Sequence, residues 1–154
     1  MNRDTSLIWD QEVDLIVAGA GPGGMTVALV ASLEGLKVIV CEKSHQVGGT
    51  GATSAGTLWI PENTQSKAAG YDDSLLEAEK YLDSLLGNDG NKKLRQAYLE
   101  SGPKVIDYLM EWTEVKFTPC GMHPDYRSNV AGAAIDGRAI IADQFDGRKL
   151  GKDF

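Results

Sequence analysis

An α/β fold built on a parallel β–α–β unit is predicted by three observations between Val13 and Glu42. A largely apolar run, Val13–Ala18, is the length of one buried strand. Glycines at 19, 21 and 24 follow it in G-x-G-x-x-G spacing and open an Ala- and Leu-rich segment without a breaker. A second apolar run, Lys37–Cys41, then delivers an acid, Glu42, about 20 residues beyond the glycines. Strand, glycine turn, helix, strand and acid stand in the order that a dinucleotide-binding unit requires.

Each part has a mechanical reason. Gly19 permits the tight turn out of the first strand, Gly21 lets backbone approach a pyrophosphate, and Gly24 lets the helix pack against the sheet. The helix, predicted over 23–33 and stopped by Gly35, offers free N–H groups and a positive dipole end to phosphate. Glu42 is placed to accept hydrogen bonds from a ribose hydroxyl. The stretch Leu15–Leu33 carries no charge and approaches the length of a membrane span. Gly-Pro-Gly-Gly at its centre would break a spanning helix, so no transmembrane segment is expected.

The 154 residues suit one ordinary domain, with 42% hydrophobic and 24% charged residues. A net charge of −7 argues against a nucleic-acid partner. Cys41 and Cys120 form no metal or redox spacing, and His45 and His123 offer no shared ligand set, so no metal is expected. Cys41 is expected as a buried, inert thiol of the second strand. The polar lead-in, residues 1–12, has no apolar core of a signal peptide, and a cytoplasmic location is the expectation.

Residues 43–63 form a Gly-, Ser- and Thr-rich loop without period before Thr57. A loop of that length beside the strand ends is expected to be functional. Gly48, Gly49 and Thr50, with Thr53 and Ser54, are candidate donors to phosphate oxygens in an anion nest. Trp59, Ile60 and Pro61 anchor its end. Asp72 and Asp73 are expected to cap a helix with an apolar stripe at Leu75, Leu76, Tyr81, Leu82, Leu85 and Leu86. Gly87 ends it. A helix over about 92–101 follows, then Gly102-Pro103 as a break, then a third helix over about 104–113. A short strand is expected over 115–118, an irregular segment over 120–129, and a β-ribbon over 133–142 turning at Asp136-Gly137.

These segments resemble the FAD-dependent fumarate reductase/succinate dehydrogenase flavoprotein superfamily, and within it the 3-ketosteroid dehydrogenases. DLIVAGAGPGGMTVAL is similar to the family's FAD fingerprint, and VIVCEK to its second strand with ribose-binding Glu and following Lys. GGTGATSAGTLWIP resembles the glycine loop along the flavin, and its W-x-P is the more discriminating feature. GRAIIADQFDGRKLG is similar to the segment that precedes the substrate region. The resemblance implies FAD as cofactor, held by Gly19, Ala20, Gly21, Gly23, Gly24, Glu42, Lys43, Gly49, Thr50, Thr53, Ser54, Ala55 and Gly56. It implies residues 1–154 as the N-terminal part of an FAD-binding domain, with 13–63 the dinucleotide core, 72–114 helical, and the substrate domain absent.

The implied chemistry removes a hydride and a proton from adjacent carbons of a 3-ketosteroid, with hydride passing to flavin N5. Tyr126, in PDYRSN, resembles an active-site tyrosine that tunes the catalytic base. The alternatives are fumarate-reductase-like chemistry, with Arg127 and Arg138 as carboxylate clamps, and a non-catalytic nucleotide-binding remnant. The chain alone is expected to be inactive.

Overall fold

The computed structural model describes residues 9–153 and divides into two compact units, one ending at Ala55 and one beginning at Gly56. The first eight residues of the lead-in lie outside the described residues.

In the first unit, β1 (Leu15–Ala18) pairs in parallel with β2 (Val38–Cys41), in register from Leu15 opposite Val38 to Ala18 opposite Cys41. The crossover is α1, Pro22–Leu33. It starts one residue before the expected point because Pro22, with its fixed φ and no N–H, suits a first helical position. Gly35, at φ 85°, terminates it. Val17, Ala20 and Ala31 are buried, whereas Ile16 is 66% exposed. Cys41 is exposed, not buried as expected: the sheet here has only two strands among the described residues, so β2 lacks the flanking cover of a central strand. The loop after β2 is not structureless, since Gly49–Thr53 winds into a 3-10 turn.

The second unit is an antiparallel sheet packed against helices. β3 (Thr57–Trp59), β4 (Phe117–Pro119) and β5 (Ala139–Ala142) lie in the order β3-β5-β4. The ribbon expected over 133–142 is therefore not a self-paired hairpin. Only Ala139–Ala142 is a strand, and it pairs with two distant partners because Ile140, fully buried, must sit at the sheet centre. Ile60, Ile106, Phe117 and Ile140 form the core, with Met110 and Val115 against it.

Two short-range expectations fail in the helices. α3 (Leu75–Leu86) is capped by Ser74, whose hydroxyl accepts from the Glu77 N–H at 3.2 Å, not by Asp72 or Asp73. Asp73 is engaged elsewhere by an arginine. The two helices expected around Gly102-Pro103 are one, α4 (Lys92–Trp112), with Pro103 inside. Burial of Leu99, Ile106 and Leu109 along one face outweighs the single backbone hydrogen bond that proline removes. Gly102 lies where an added Cβ would stand 3.4 Å from Ile60, so the helix approaches β3's end closely. A short helix that periodicity did not reveal, α2 (Thr64–Ala68), is capped by the buried Asn63, which accepts from Ser66 N–H at 2.7 Å.

Candidate functional site

The glycine turn in the first unit separates three tasks. Gly19 adopts φ 99° to leave β1, and its N–H donates to Cys41 O at 2.7 Å. A Cβ on Gly24 would stand 2.0 Å from Gly19 O and 3.2 Å from Val17, so this glycine sets the approach of α1 to β1. A Cβ on Gly21 or Gly23 would meet nothing within 4 Å. Those glycines do not serve packing; the space beside them is open at the helix N-terminus. Gly21 is the N-cap of α1, with no side chain capping it among the described residues, so first-turn N–H groups remain for a ligand.

Glu42 closes the same turn from the second strand. Its Oε2 accepts from the N–H of the buried Ala20 at 2.8 Å, and Oε1 from Ser44 N–H at 2.9 Å. The Ala20 bond first, then that of Ser44, hold the Glu42 carboxyl below its ordinary value. The group is thus an ionised acceptor with remaining lone pairs beside the glycines. A depressed folded value means its contribution is present above the ordinary carboxylate range and is lost as pH falls through that depressed value. Protection of the Ala20 amide, corrected for intrinsic exchange, is therefore expected to stay flat down to about pH 5 and to drop in more acid solution. Glu42→Gln should remove that drop, which amide exchange by NMR would read.

The 3-10 turn Gly49–Thr53 is tied to the glycine turn. Gly48 N–H donates to Ala20 O at 2.7 Å, so it is not a free phosphate donor. A Cβ on Gly49 would lie 3.5 Å from Gly21 Cα, and one on Gly51 would lie 2.4 Å from Pro22 Cγ. Glycine at 51 is what Pro22 at the helix start requires. Thr53 Oγ1 donates to Thr50 O at 3.0 Å and Ser54 Oγ to Gly51 O at 2.8 Å. Both hydroxyls are turned into the loop as donors, contrary to the nest expected of them, and face a ligand as acceptors at most. Gly19, Ala20, Gly21, Gly23, Gly24, Glu42, Lys43, Gly49, Thr50, Thr53, Ser54 and Ala55 all lie in the first unit, while Gly56 opens the second.

The second unit holds its own cavity, about 270 Å³, lined by Trp59, Tyr81, Leu82, Leu85, His123 and Tyr126 among others. Tyr126 is 95% exposed. Behind the wall lies a buried ionic cluster. Arg138, 2% exposed, donates from Nη2 to Asp73 at 2.8 Å and from Nη1 to Asp125 at 2.8 Å. Trp59 Nε1 donates to Asp125 at 2.6 Å, and the guanidinium lies 5.7 Å from the Trp59 ring centre. Arg138 is therefore spent on two carboxylates and cannot clamp a substrate carboxylate, which corrects the role considered for it; Arg127 is exposed. The cluster carries no sequence signature, since Asp73 and Arg138 are 65 positions apart. Burial pushes the Cys120 thiol up, with a Thr57 hydrogen bond opposing, which disfavours a reactive thiolate. No group of three or more metal-ligating side chains occurs, and no helix is long and apolar enough to cross a membrane, among the described residues.

Comparison with known proteins bears on both units. A family described as an FAD binding domain matches residues 14–153. The 3-oxosteroid 1-dehydrogenase of Mycobacterium tuberculosis is 36% identical over 143 residues, 93% of this chain and 25% of its own length. The 4-oxocyclohex-2-ene-1-carboxylate 5-dehydrogenase of Sinomonas cyclohexanicum is 40% identical over 138 residues, 90% of this chain and 23% of its own. The crystal structure of 3-ketosteroid delta1-dehydrogenase from Sterolibacterium denitrificans, in complex with 1,4-androstadiene-3,17-dione, superposes with TM-score 0.84 at 38% identity. It does so over 92% of this chain and 25% of that one. The chain spans about a quarter of the length of these relatives.

Proposed function

The chain belongs to the FAD binding domain family, and from that premise we propose that it is the adenosine- and pyrophosphate-holding part of a flavoprotein that desaturates a CH–CH bond beside a ring ketone. The observation that carries this reading is the turn at Gly19–Gly24 with the Glu42 carboxylate folded onto it. In this reading the open faces of Gly21 and Gly23 admit the pyrophosphate to the α1 N-terminus, and Glu42 accepts from the ribose. Lys43, Gly49, Thr50, Ala55 and Gly56 belong to the same proposed set, with Thr53 and Ser54 shaping the turn through bonds to Thr50 O and Gly51 O rather than donating hydroxyls to phosphate. FAD, when bound, supplies the hydride acceptor.

A 3-ketosteroid is the leading substrate class. Relatives named for steroid oxidation support it, as does an apolar cavity that Tyr126 helps to line. Tyr126 is proposed to hold a proton or orient the group that takes one from the carbon beside the ketone. One observation favours a second reading within the same chemistry: the relative that acts on a cyclohexenone carboxylate is similar at 40% identity. In both readings the ring ketone acidifies the neighbouring C–H. A cytoplasmic location belongs to the proposal too, supported by two free thiols.

Titration of this chain with ADP and with FAD by calorimetry tests the first part. Saturable binding of ADP is expected, and absence of binding by either ligand would remove the dinucleotide reading. Dye-linked turnover of a 3-ketosteroid is expected to be undetectable with this chain alone. Measurable turnover would show that the remaining three quarters of the relatives' length is dispensable.

A further inference from the structure

Tyr126 sits between two anchored neighbours. Asp125 before it is buried and receives three donors: Trp59 Nε1 on Oδ1 at 2.6 Å, with Arg138 Nη1 at 2.8 Å and Ala134 N–H at 3.0 Å on Oδ2. The Asp125 N–H donates back to Ala134 O at 2.9 Å. Arg127 after it donates its backbone N–H to the Tyr81 hydroxyl at 3.3 Å. Between these anchors the Tyr126 side chain stands 95% exposed at the rim of the cavity.

The anchors are themselves held from behind. Arg138 forks onto Asp73 through Nε at 3.0 Å and Nη2 at 2.8 Å, and its Nη1 also donates to Gly132 O at 2.9 Å. The strap carrying Gly132 and Ala134 lies flush on α3, since a Cβ on Gly132 would meet Glu77 O at 2.3 Å and Tyr81 N at 2.4 Å. Ser84 Oγ holds the same strap through Ala131 O at 3.2 Å. The guanidinium lies beside both rings, 5.7 Å from Trp59 and 5.9 Å from Tyr81, and Trp59, Tyr81 and Asp125 also line the cavity.

We propose that Arg138, acting through Asp125, is a positioning residue that fixes the 125–127 backbone from which the Tyr126 phenol projects at the cavity rim, with Asp73 as its anchor and Trp59 as the second hold on Asp125. One carboxylate would balance the charge of a buried guanidinium, and backbone carbonyls could take its remaining N–H donors. A second carboxylate adds desolvation and leaves the cluster with one net negative charge. What that carboxylate holds is the 125–127 turn, by three donors on one side chain. Arginine is required because its planar fork reaches Asp73, Asp125 and Gly132 O together, whereas an ammonium is a single point. The inference rests on the reading of Tyr126 as a substrate-facing group.

The test uses this chain labelled with 3-fluorotyrosine, the Tyr126 signal being identified by Tyr126→Phe. In Trp59→Phe, and in Arg138→Lys, amides of Asp125 and Arg127 should exchange about tenfold faster or more, from loss of charge-assisted hydrogen bonds. The Tyr126 fluorine line should sharpen toward that of a free tyrosine. Amides of α4 and the affinity for ADP should be unchanged. Unaltered exchange and an unaltered fluorine line in a folded Trp59→Phe would overturn the inference, as would an even rise across α3 and α4. If Arg138→Lys does not fold, Trp59→Phe decides alone. Adding 1,4-androstadiene-3,17-dione to the wild-type chain separates the two claims: if the line does not move while the variants loosen the turn, positioning stands and the assignment of Tyr126 as a group that meets the steroid within this part of the chain falls.

Discussion

Gly24→Ala is expected to destabilise the first unit by about 2–4 kcal/mol, whereas Gly21→Ala, three residues away, should leave its folding within about 1 kcal/mol. The two substitutions add the same methyl group. At position 24 the methyl carbon would stand 2.0 Å from the Gly19 carbonyl oxygen, which is backbone and cannot swing aside. Relief requires α1 to move off β1, against the packing of Val17. At position 21 the methyl enters open space, and the backbone, at φ −75° and ψ 177°, is one that alanine adopts without strain. That same open space is where the proposed pyrophosphate lies. Gly21→Ala should therefore lower ADP affinity about tenfold or more in calorimetry, with α1 amide protection retained. Gly24→Ala should lose amide protection and binding together. If Gly21→Ala binds ADP like the wild type, the phosphates do not sit against this turn, however well the motif matches.

That contrast explains why the first unit was legible in the sequence. The tasks of Gly19, Gly21 and Gly24 depend on residues within a few positions or on the adjoining strand, and Glu42 is placed by the length of one helix and one strand. Local periodicity is enough for such a unit. The second unit depends on meetings that spacing does not encode. Ile140 pairs β5 with strands on both sides, so a stretch that resembles a hairpin is the centre of a sheet. Gly102-Pro103 carries a strong local break signal, yet the face formed by Leu99, Ile106 and Leu109 keeps α4 continuous. Asp73 has the identity of a helix cap, but a buried guanidinium claims it and leaves the cap to Ser74. The W-x-P that ends the glycine-rich segment is the more discriminating feature of the resemblance, and Trp59 is its first residue. The structure supplies its reason: an indole N–H on Asp125, a ring face toward Arg138, and a stacked Tyr98 ring at 6.5 Å.

Arg138→Met is expected to be the most damaging single change in the second unit, costing about 3–5 kcal/mol. Methionine fills much of the volume, so loss of packing is the smaller part. The larger part is electrostatic. Asp73 and Asp125, with side chains 6% and 2% exposed, would face each other's charge without the cation that now separates them. Some hydrogen bonds survive the substitution: Trp59 and Ala134 still donate to Asp125, and Glu62 N–H to Asp73 at 3.2 Å. They do not replace a charge. The cost should therefore come from the stranded carboxylates more than from the missing arginine, and this is separable. Arg138→Met combined with Asp73→Asn and Asp125→Asn should recover a substantial part of the loss, because no uncompensated charge remains buried. Urea unfolding followed by Trp59 and Trp112 fluorescence reads the comparison, the midpoint falling in the single variant and rising again in the triple. If the single variant loses less than about 1 kcal/mol, the cluster is open to water and its members behave as a surface pair does. If the triple variant is no more stable than the single, the guanidinium contributes by its shape and its ring contacts rather than by its charge.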